Sequence, residues 1–195
     1  MYIVEDTLAM LFAVLFLSAV SMFAYNESDE EPIDVVEVTQ TVEIIPSWYD
    51  FAHEETECLA TNIYFEARGE SYEGQKAVAF VTLNRVDSTK FPNDICSVVY
   101  QAKHSEWWAE HKDRLVPIRN QCQFSWYCDG KSDRIRNSSD YQRIYTLAAE
   151  VITGRHEDNT DGALWYHANY VRPDWRLAYD KTVDIDAHTF YKQVN

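Results

Sequence analysis

The apolar and polar positions divide the chain into an uncharged N-terminal run, an acidic segment and a longer mixed region. The run from Leu8 to Tyr25 contains no charged residue. As a helix it would rise about 27 Å, close to the lower limit for spanning a bilayer. We therefore expect residues 1–25 to form a signal-anchor or a signal peptide, with a buried helix as the remaining alternative.

The flanks of this run do not decide between an anchor and a signal peptide. Met1–Thr7 carries Glu5 and Asp6, whereas the n-region of a signal peptide is positively charged. Ala19-Val20-Ser21 nevertheless provides a small-x-small cleavage site. In both cases the rest of the chain is expected to be exported to the periplasmic or cell-envelope face. An uncleaved anchor would hold it to the membrane through residues 8–25.

Residues 26–54 are predicted to form an acidic tether. The tether precedes a compact domain at residues 55–195. The tether contains NESDEEP, followed by alternating Val and acidic residues. Its negative charge favours an extended, self-repelling chain. The alternation also fits one edge strand, so both interpretations stay open.

Two helices are predicted on either side of a tight turn. Leu59, Ile63 and Ala67 recur at the spacing of one apolar helix face, and Gly69 is a natural C-terminal stop. Ser71 can cap the second helix. The apolar positions of that helix, which we expect to face the core, are Ala77, Val78, Val81 and Val86.

Glu66 is the most informative polar residue of the first helix. Two helical turns return it to nearly the same direction as Leu59, so its carboxyl group points toward the apolar side. A carboxylate there loses hydration, and its pKa rises toward the range of a general acid. The alternative is a Glu at the rim of the core, paired with Arg68 or Arg85.

The formal net charge of −15 belongs mainly to the N-terminal part of the chain. The first 57 residues hold 13 of the 32 acidic residues and no Lys or Arg, so the rest carries 19 acidic and 17 basic residues, or −2. Without a basic surface, nucleic-acid binding is disfavoured. A hydrophobic fraction of 46% permits a sizeable core and argues against disorder.

Four cysteines, Cys58, Cys96, Cys122 and Cys128, all lie in the predicted domain. An even number after an export-type leader indicates disulfides, for which three connectivities are possible. A zinc site is the alternative, but the sequence has neither a C-x-x-C pair nor an H-E-x-x-H motif. We therefore expect disulfides and no metal.

Further elements are predicted downstream. Gln123–Tyr127 is typical of a short strand or hairpin arm before a turn at Asp129-Gly130. Tyr166 and His167 lie on a second apolar strand, and His188 lies on a third.

An amphipathic helix is also predicted over Asp140–Thr153. Ser139 can cap its start and Gly154 can end it.

An ordered series of motifs makes the region from residue 57 to residue 192 resemble the SleB/CwlJ-type cell wall hydrolases. Each motif alone is weak, and the resemblance depends on finding the whole set in order. The motifs are YFEARGE, EGQKAVA and LNRV within 60–86, FPN at 91–93, ICSVVYQ at 95–101, QCQFS at 121–125, CDG at 128–130, ALWYHA at 163–168, RPDW at 172–175 and HTFY at 188–191.

The resemblance implies an α+β, mainly helical lysozyme-like domain with a small β-wing, preceded by the N-terminal hydrophobic helix. It also implies cleavage of peptidoglycan between N-acetylmuramic acid and N-acetylglucosamine, by a lytic transglycosylase that needs no cofactor. Hydrolysis is the alternative chemistry. A non-catalytic peptidoglycan-binding or envelope interaction module on the same fold is the alternative function.

The resemblance also assigns the candidate site residues. Glu66 is the first Glu of the E-A/S-R-G-E motif and is expected to act as acid and then as base. Glu70, the second, is expected to support the turn or to bind substrate. Gln123 and Ser125 are expected to bond to acetamido or hydroxyl groups of the sugar, and Tyr166 to contact the substrate.

Other residues are candidates for narrower roles. His167 and His188 could contact substrate, although a structural His bonded to the backbone is the commoner case. If the reaction is hydrolytic, Asp129 or Glu70 would supply the second carboxylate that a conventional glycosidase needs.

Two further expectations concern the polar stretch Lys103–Asn120 and the turn before the last strand. Trp107 and Trp108 lie in the polar stretch, which we expect to lie over the cleft, and one of them is expected to stack on a sugar ring. Asp186 stands where members of the family usually carry Gly. The change is expected to distort the local turn.

Overall fold

The computed structural model describes residues 47–194. The predicted leader at residues 1–25 and residues 26–46 of the predicted tether lie outside the described residues. Within the described part of the chain, no helix combines the length and the apolar character that a membrane span requires.

Helix α1 runs from Ser47 to Ala67 and therefore includes residues 47–54, which the sequence analysis assigned to the tether. Residues 50–54 are exposed, and burial begins at Glu55. Leu59, Ile63 and Ala67 are buried, so the predicted apolar face is confirmed.

Helix α2 runs from Tyr72 to Val86 and begins at the predicted cap. The Ser71 hydroxyl accepts a hydrogen bond from the Gly74 N–H at 3.3 Å, as an N-cap does. Of the four predicted core positions, Ala77, Val78 and Val81 are fully buried, and Val86 packs at the edge of the core.

Helix α3, Ile95–Val99, is short, and two carboxylates accept hydrogen bonds from the N–H groups at its N-terminus. Asp94 accepts from the Ser97 N–H at 2.7 Å. The carboxylate of Glu55 on α1 accepts from the N–H groups of Ile95 at 2.6 Å and Cys96 at 3.3 Å. These bonds satisfy the free N–H groups at the helix start and tie α3 to α1.

An antiparallel pair of strands follows, with a helix between them. Strand β1 is Ala102–His104, helix α4 is Glu106–Lys112, and strand β2 is Pro117–Cys122. The chain then forms a 3-10 helix at Ser125–Cys128.

The prediction of a strand over Gln123–Tyr127 is therefore wrong. Cys122 and Cys128 form a disulfide with their Cα atoms 6.1 Å apart. Six residues of extended strand would separate these atoms by about 20 Å. The covalent ring excludes a strand and favours the tighter 3-10 helix.

Helix α5 runs from Ser138 to Ile152, so the prediction that Ser139 caps it is wrong. The cap is Asn137, whose side-chain oxygen accepts from the Asp140 N–H at 3.2 Å. Both residues can cap a helix, and the earlier one does so here. The Ser139 hydroxyl donates to the same Asn137 oxygen at 2.8 Å.

The C-terminal part forms a three-stranded antiparallel sheet in the order β3-β5-β4. Strand β3 is Trp165–Ala168, a 3-10 helix covers Asp174–Ala178, β4 is Tyr179–Ile185, and β5 is His188–Gln193. The strands predicted at Tyr166 and His188 are confirmed. The mixed helix-and-sheet class is confirmed as well, with two separate sheets in the described residues.

Helix α2 lies between the helical core and the three-stranded sheet. On one side, its Val78 packs in a cluster with Leu59 and Ile63 of α1. On the other, its Val81 packs with Phe190 of β5. Burial of about 25 cal/mol per Å² of apolar surface favours both contacts, and together they bring the end of α1 close to β3.

Both disulfides expected from the sequence are present. Cys58–Cys96 links α1 to α3 across 38 residues of sequence, and Cys122–Cys128 closes a ring across six. The described residues contain no free cysteine.

The two disulfides are predicted to differ in their contribution to stability. Because loop-closure entropy grows with loop length, replacing Cys58 and Cys96 by Ser should lower the free energy of unfolding by about 4 kcal/mol. The same change at Cys122 and Cys128 should lower it by about 2 kcal/mol. Urea denaturation of the two double variants tests this, and equal losses would contradict the prediction.

Candidate active site

Glu66 lies at the C-terminal end of α1, where its carboxylate meets strand β3. The Tyr166 hydroxyl donates a hydrogen bond of 2.9 Å to Glu66 Oε2. Burial raises the pKa of Glu66 above its ordinary value, while the Tyr166 hydrogen bond and the positive charge of Arg85 oppose the rise. The side chain thus holds its proton more strongly than an exposed Glu.

Tyr166 is fixed in its donor position by the sheet. Its ring lies 5.6 Å from the Phe190 ring and packs edge-on against His188 at 5.1 Å. Burial raises the pKa of Tyr166 well above its ordinary value, and the nearby charge of Glu66 adds to that rise. Its hydroxyl therefore stays protonated at neutral pH.

Arg85 of α2 is a buried cation at the site, with only 3% of its surface exposed. Its Nε–H donates to the Leu164 carbonyl at 2.8 Å, and its guanidinium lies over the rings of Phe124 and Phe91 at 4.8 and 5.3 Å. Its Nη1 has no hydrogen-bond partner among the described residues. Burial lowers the pKa of Arg85 to about 10, so the side chain remains charged at neutral pH.

From the sequence, Arg85 is predicted only as an ion-pair partner of Glu66. Neither Arg68 nor Arg85 forms an ion pair with Glu66 in the described part of the chain. The signal that could have identified Arg85 is its position seven residues after Val78, on the buried face of α2. A cation on an apolar face has to be held there by specific contacts.

These residues surround a small pocket of about 150 Å³, called the Glu66 pocket below. Its lining consists of Glu66, Arg85, Gln123, Phe124, Ser125 and Tyr166. The structure therefore brings four of the predicted site residues together: Glu66, Gln123, Ser125 and Tyr166. Within the described part of the chain, Glu66 is the one carboxylate in this lining.

Glu70 lies outside this lining and is engaged with the turn between β4 and β5. Its Oε2 accepts from the Ala187 N–H at 3.1 Å. In return, the Asp186 carboxylate accepts from the Ser71 N–H at 2.8 Å. Each of the two turns thus holds a backbone group of the other, and the α1–α2 turn next to Glu66 is fixed.

The expected distortion of the turn at Asp186 is not found. Asp186 adopts a left-handed conformation with φ = 48°, and Ile185 pairs directly with His188 across the turn. Asp is among the non-glycine residues that tolerate this region best. Gly74 leaves room for the Asp186 carboxylate, because a Cβ at position 74 would clash with it.

Two other predicted residues lie away from the Glu66 pocket. Asp129 pairs with Lys131 at 3.0 Å, and hydrogen bonds from Lys131 lower the pKa of its carboxyl. His167 lies on β3 directly after Tyr166, so the two side chains point to opposite faces of the sheet. Its ring nitrogens lie 2.9 Å from the Ala168 carbonyl and 3.0 Å from the Tyr191 hydroxyl.

His188 and the tryptophan pair, Trp107 and Trp108, differ in their exposure to solvent. His188 is buried behind Tyr166, and that burial lowers its pKa. Trp107 and Trp108 lie on α4 with 53% and 37% of their surfaces exposed. Their exposure leaves their aromatic faces accessible, and a role in sugar stacking stays a prediction.

A carboxyl group of raised pKa, held by a tyrosine beside neutral polar side chains and a buried arginine, is typical of a general acid–base site. Residues 69–191 match the cell wall hydrolase family, and the chain belongs to that family. The match begins three residues after Glu66 and does not include that residue.

Individual relatives support the same family. The chain is 47% identical over 51 residues to the spore cortex-lytic enzyme of Bacillus subtilis (strain 168), over 26% of this chain and 17% of that protein. It is 41% identical over 73 residues to the spore cortex-lytic enzyme of Bacillus cereus (strain ATCC 14579), over 37% and 27%. The matched stretches therefore span about a quarter of these relatives or less.

One solved structure also matches over most of the described chain. It is the catalytic domain of the germination-specific lytic transglycosylase SleB from Bacillus anthracis, with 27% identity and a TM-score of 0.47. The match covers 76% of this chain and all of that one.

Substitutions of Asp186 are predicted to separate two effects on stability: the hydrogen bond that Asp186 accepts from Ser71, and the backbone conformation at positive φ. Asp186→Ala should lower the free energy of unfolding by about 2 kcal/mol, because it loses the bond to Ser71 and places at positive φ a residue that tolerates this region less well than Asp. Asp186→Gly loses the bond but relieves the strain, so its net change should be within about 1 kcal/mol. Urea denaturation measures both, and an alanine variant as stable as the glycine variant would refute the argument.

The raised pKa of Glu66 predicts a pH-dependent penalty on stability. Between the unfolded and folded pKa values of Glu66, the folded chain binds more protons, so stability falls as pH rises through that window. Glu66→Gln removes the titrating group and should be more stable than the wild type at neutral pH. The difference should shrink below about pH 4, where Glu66 is protonated in both states. Urea denaturation across pH tests this, and a difference independent of pH would contradict it.

Proposed function

We propose that this domain cleaves the glycan strands of peptidoglycan between N-acetylmuramic acid and N-acetylglucosamine, as a lytic transglycosylase that uses Glu66 as its single catalytic carboxyl group. Membership of the cell wall hydrolase family supports the substrate class. The name of the curated relatives, spore cortex-lytic enzyme, points in the same direction.

The first chemical step requires an acid, and the environment of Glu66 supplies one. Burial keeps a proton on the carboxyl group at higher pH than in water. Glu66 would donate this proton to the glycosidic oxygen as the bond between that oxygen and C1 of the muramic acid breaks. The leaving sugar then carries a hydroxyl group, and Glu66 is left as a carboxylate.

The second step requires a base, and the same carboxylate provides it. The 6-hydroxyl of the muramic acid attacks C1 and transfers its proton to Glu66. A 1,6-anhydro ring forms, and Glu66 returns to its protonated state. No water is consumed, so one carboxyl group is sufficient for both steps.

The observation that supports this mechanism most is that Glu66 is the one carboxylate among the described residues that line its pocket. A conventional glycosidase places two carboxyl groups about 5 to 9.5 Å apart across the scissile bond. Both candidates for a second carboxylate have other partners: Asp129 bonds to Lys131, and Glu70 bonds to the Ala187 N–H.

The remaining residues of the pocket fit a neutral, polar substrate. Tyr166 orients the carboxyl group of Glu66 through its hydrogen bond. Gln123 and Ser125 face the same pocket with neutral donors and acceptors, as binding of acetamido and hydroxyl groups requires. Arg85 offers an unpaired N–H group to a substrate oxygen.

The proposed site of action is the cell-envelope face outside the cytoplasm. A peptidoglycan substrate requires export, and two disulfides are typical of proteins that fold in an oxidising compartment.

Glu66→Gln is predicted to abolish the activity selectively. Loss of the acid and base should reduce the rate at which purified sacculi lose turbidity by about 100-fold or more. Glu157→Gln, which neutralises an exposed carboxylate with no contact to the pocket, is the matched control and should retain the wild-type rate.

Two outcomes would contradict the proposal. Equal turbidity loss by the wild type and Glu66→Gln would remove Glu66 as the catalytic group. Mass spectrometry of the products identifies the chemistry: anhydro ends support the transglycosylase, whereas reducing ends would show hydrolysis. Sacculus binding without any soluble product would instead indicate a non-catalytic binding module.

A further inference from the structure

A second, larger cavity has a volume of about 520 Å³, and we call it the side pocket. Phe65 and Trp126 line it, with their rings stacked 4.7 Å apart. Each is a direct chain neighbour of a residue of the Glu66 pocket, namely Glu66 and Ser125. The two cavities are therefore bordered by the same two chain segments, the end of α1 and the 3-10 helix at Ser125–Cys128.

The side pocket is held in place by covalent and hydrogen bonds. The segment from residue 129 to residue 137 forms much of its lining. At one end this segment follows the disulfide at Cys128. At the other, the N–H groups of Arg136 and Asn137 each donate to the Tyr64 hydroxyl at 3.1 Å. Tyr64 is buried on α1, so it anchors the segment to the helix that carries Glu66.

The charges that line the side pocket are only partly paired with each other. Lys131 pairs with Asp129 at 3.0 Å. The side chains of Arg134 and Arg136 and the carboxylate of Asp133 line the same cavity without a hydrogen bond or ion pair to any described residue. Burial and the nearby Asp129 raise the pKa of Asp133. Two cations and one anion are therefore free to meet a ligand.

This set of groups does not match a neutral sugar. Sugar recognition relies on neutral hydrogen-bonding groups and aromatic faces, and charge-assisted hydrogen bonds form with charged ligands. A ligand suited to two guanidinium groups and one carboxylate carries carboxylates and an ammonium group. The stem peptide of peptidoglycan has this chemistry, with its carboxylates and the side-chain amine of its diamino acid. It branches from the lactyl group of the muramic acid whose C1 would react at Glu66.

We propose that the side pocket binds the stem peptide, with Arg134 and Arg136 contacting its carboxylates and Asp133 its free ammonium group. This inference depends on the proposed function for its choice of ligand. It makes the domain selective for glycan strands that still carry their peptides.

Direct binding tests the proposal independently of catalysis. The probe is the free tripeptide L-alanyl-γ-D-glutamyl-L-lysine, titrated into the full-length chain and followed by calorimetry. Arg134→Ala with Arg136→Ala should weaken binding by about 10-fold or more. Arg114→Ala with Arg155→Ala removes the same charge from exposed positions outside the pocket and should leave the affinity unchanged.

The third residue of the probe tests the role of Asp133. Asp133→Asn should weaken binding of the lysine tripeptide but not of a tripeptide with alanine in its place. Failure of the wild type to bind the lysine tripeptide, or equal affinity of the wild type and the double arginine variant, would overturn the proposal.

Activity measurements then distinguish this inference from the proposed function. On glycan strands that carry stems, the double arginine variant should lower kcat/KM by about 10-fold. On strands stripped of their stems by an amidase, it should match the wild type. An equal loss on both substrates would overturn the stem-peptide proposal. If the wild type cleaves neither substrate, the proposed function fails, and the tripeptide titration still decides the inference.

Discussion

The hydrogen bond between Tyr166 and Glu66 is the interaction on which the site depends. It joins the C-terminal end of α1 to strand β3, two elements separated by 100 positions in the sequence. It forms only because α2 packs against α1 on one side and against Phe190 of the sheet on the other. The core thus determines the orientation of a single carboxyl group, and the desolvation that raises the pKa of Glu66 results from the same packing.

The carboxyl groups near the C-terminal end of α1 show how the local environment gives chemically similar groups different pKa shifts and different roles. Glu66 has one hydrogen bond and a buried setting, so it tends to keep its proton. Glu70 and Asp186 each bond to a backbone N–H of the neighbouring turn and stabilise the structure instead. Asp129 pairs with Lys131, which lowers its pKa. Carboxyl groups therefore serve both as the buried acid of the pocket and as the supports of the turn beside it.

Local signals in the sequence predicted the helical half of the domain and the position of Glu66. Features that depend on contacts between distant parts of the chain could not be predicted. The face of Leu59, Ile63 and Ala67 and the Ser71 cap depend on near neighbours, so they could be predicted. The 3-10 helix after Cys122 depends on a disulfide whose pairing the sequence leaves open. The role of Arg85 depends on rings of Phe91 and Phe124 that only the folded chain brings together.

The early start of α1 has a mechanical consequence. Residues 50–54 are exposed, yet they continue the same helix that carries Glu66. Ser47 and Glu66 are therefore joined by a rod of about 28 Å rather than by a flexible linker. A force or a torque applied at Ser47 acts along the axis of the helix that carries Glu66. The direction in which the chain enters α1 at Ser47 and the direction in which Glu66 faces its pocket are thus set by one rigid element.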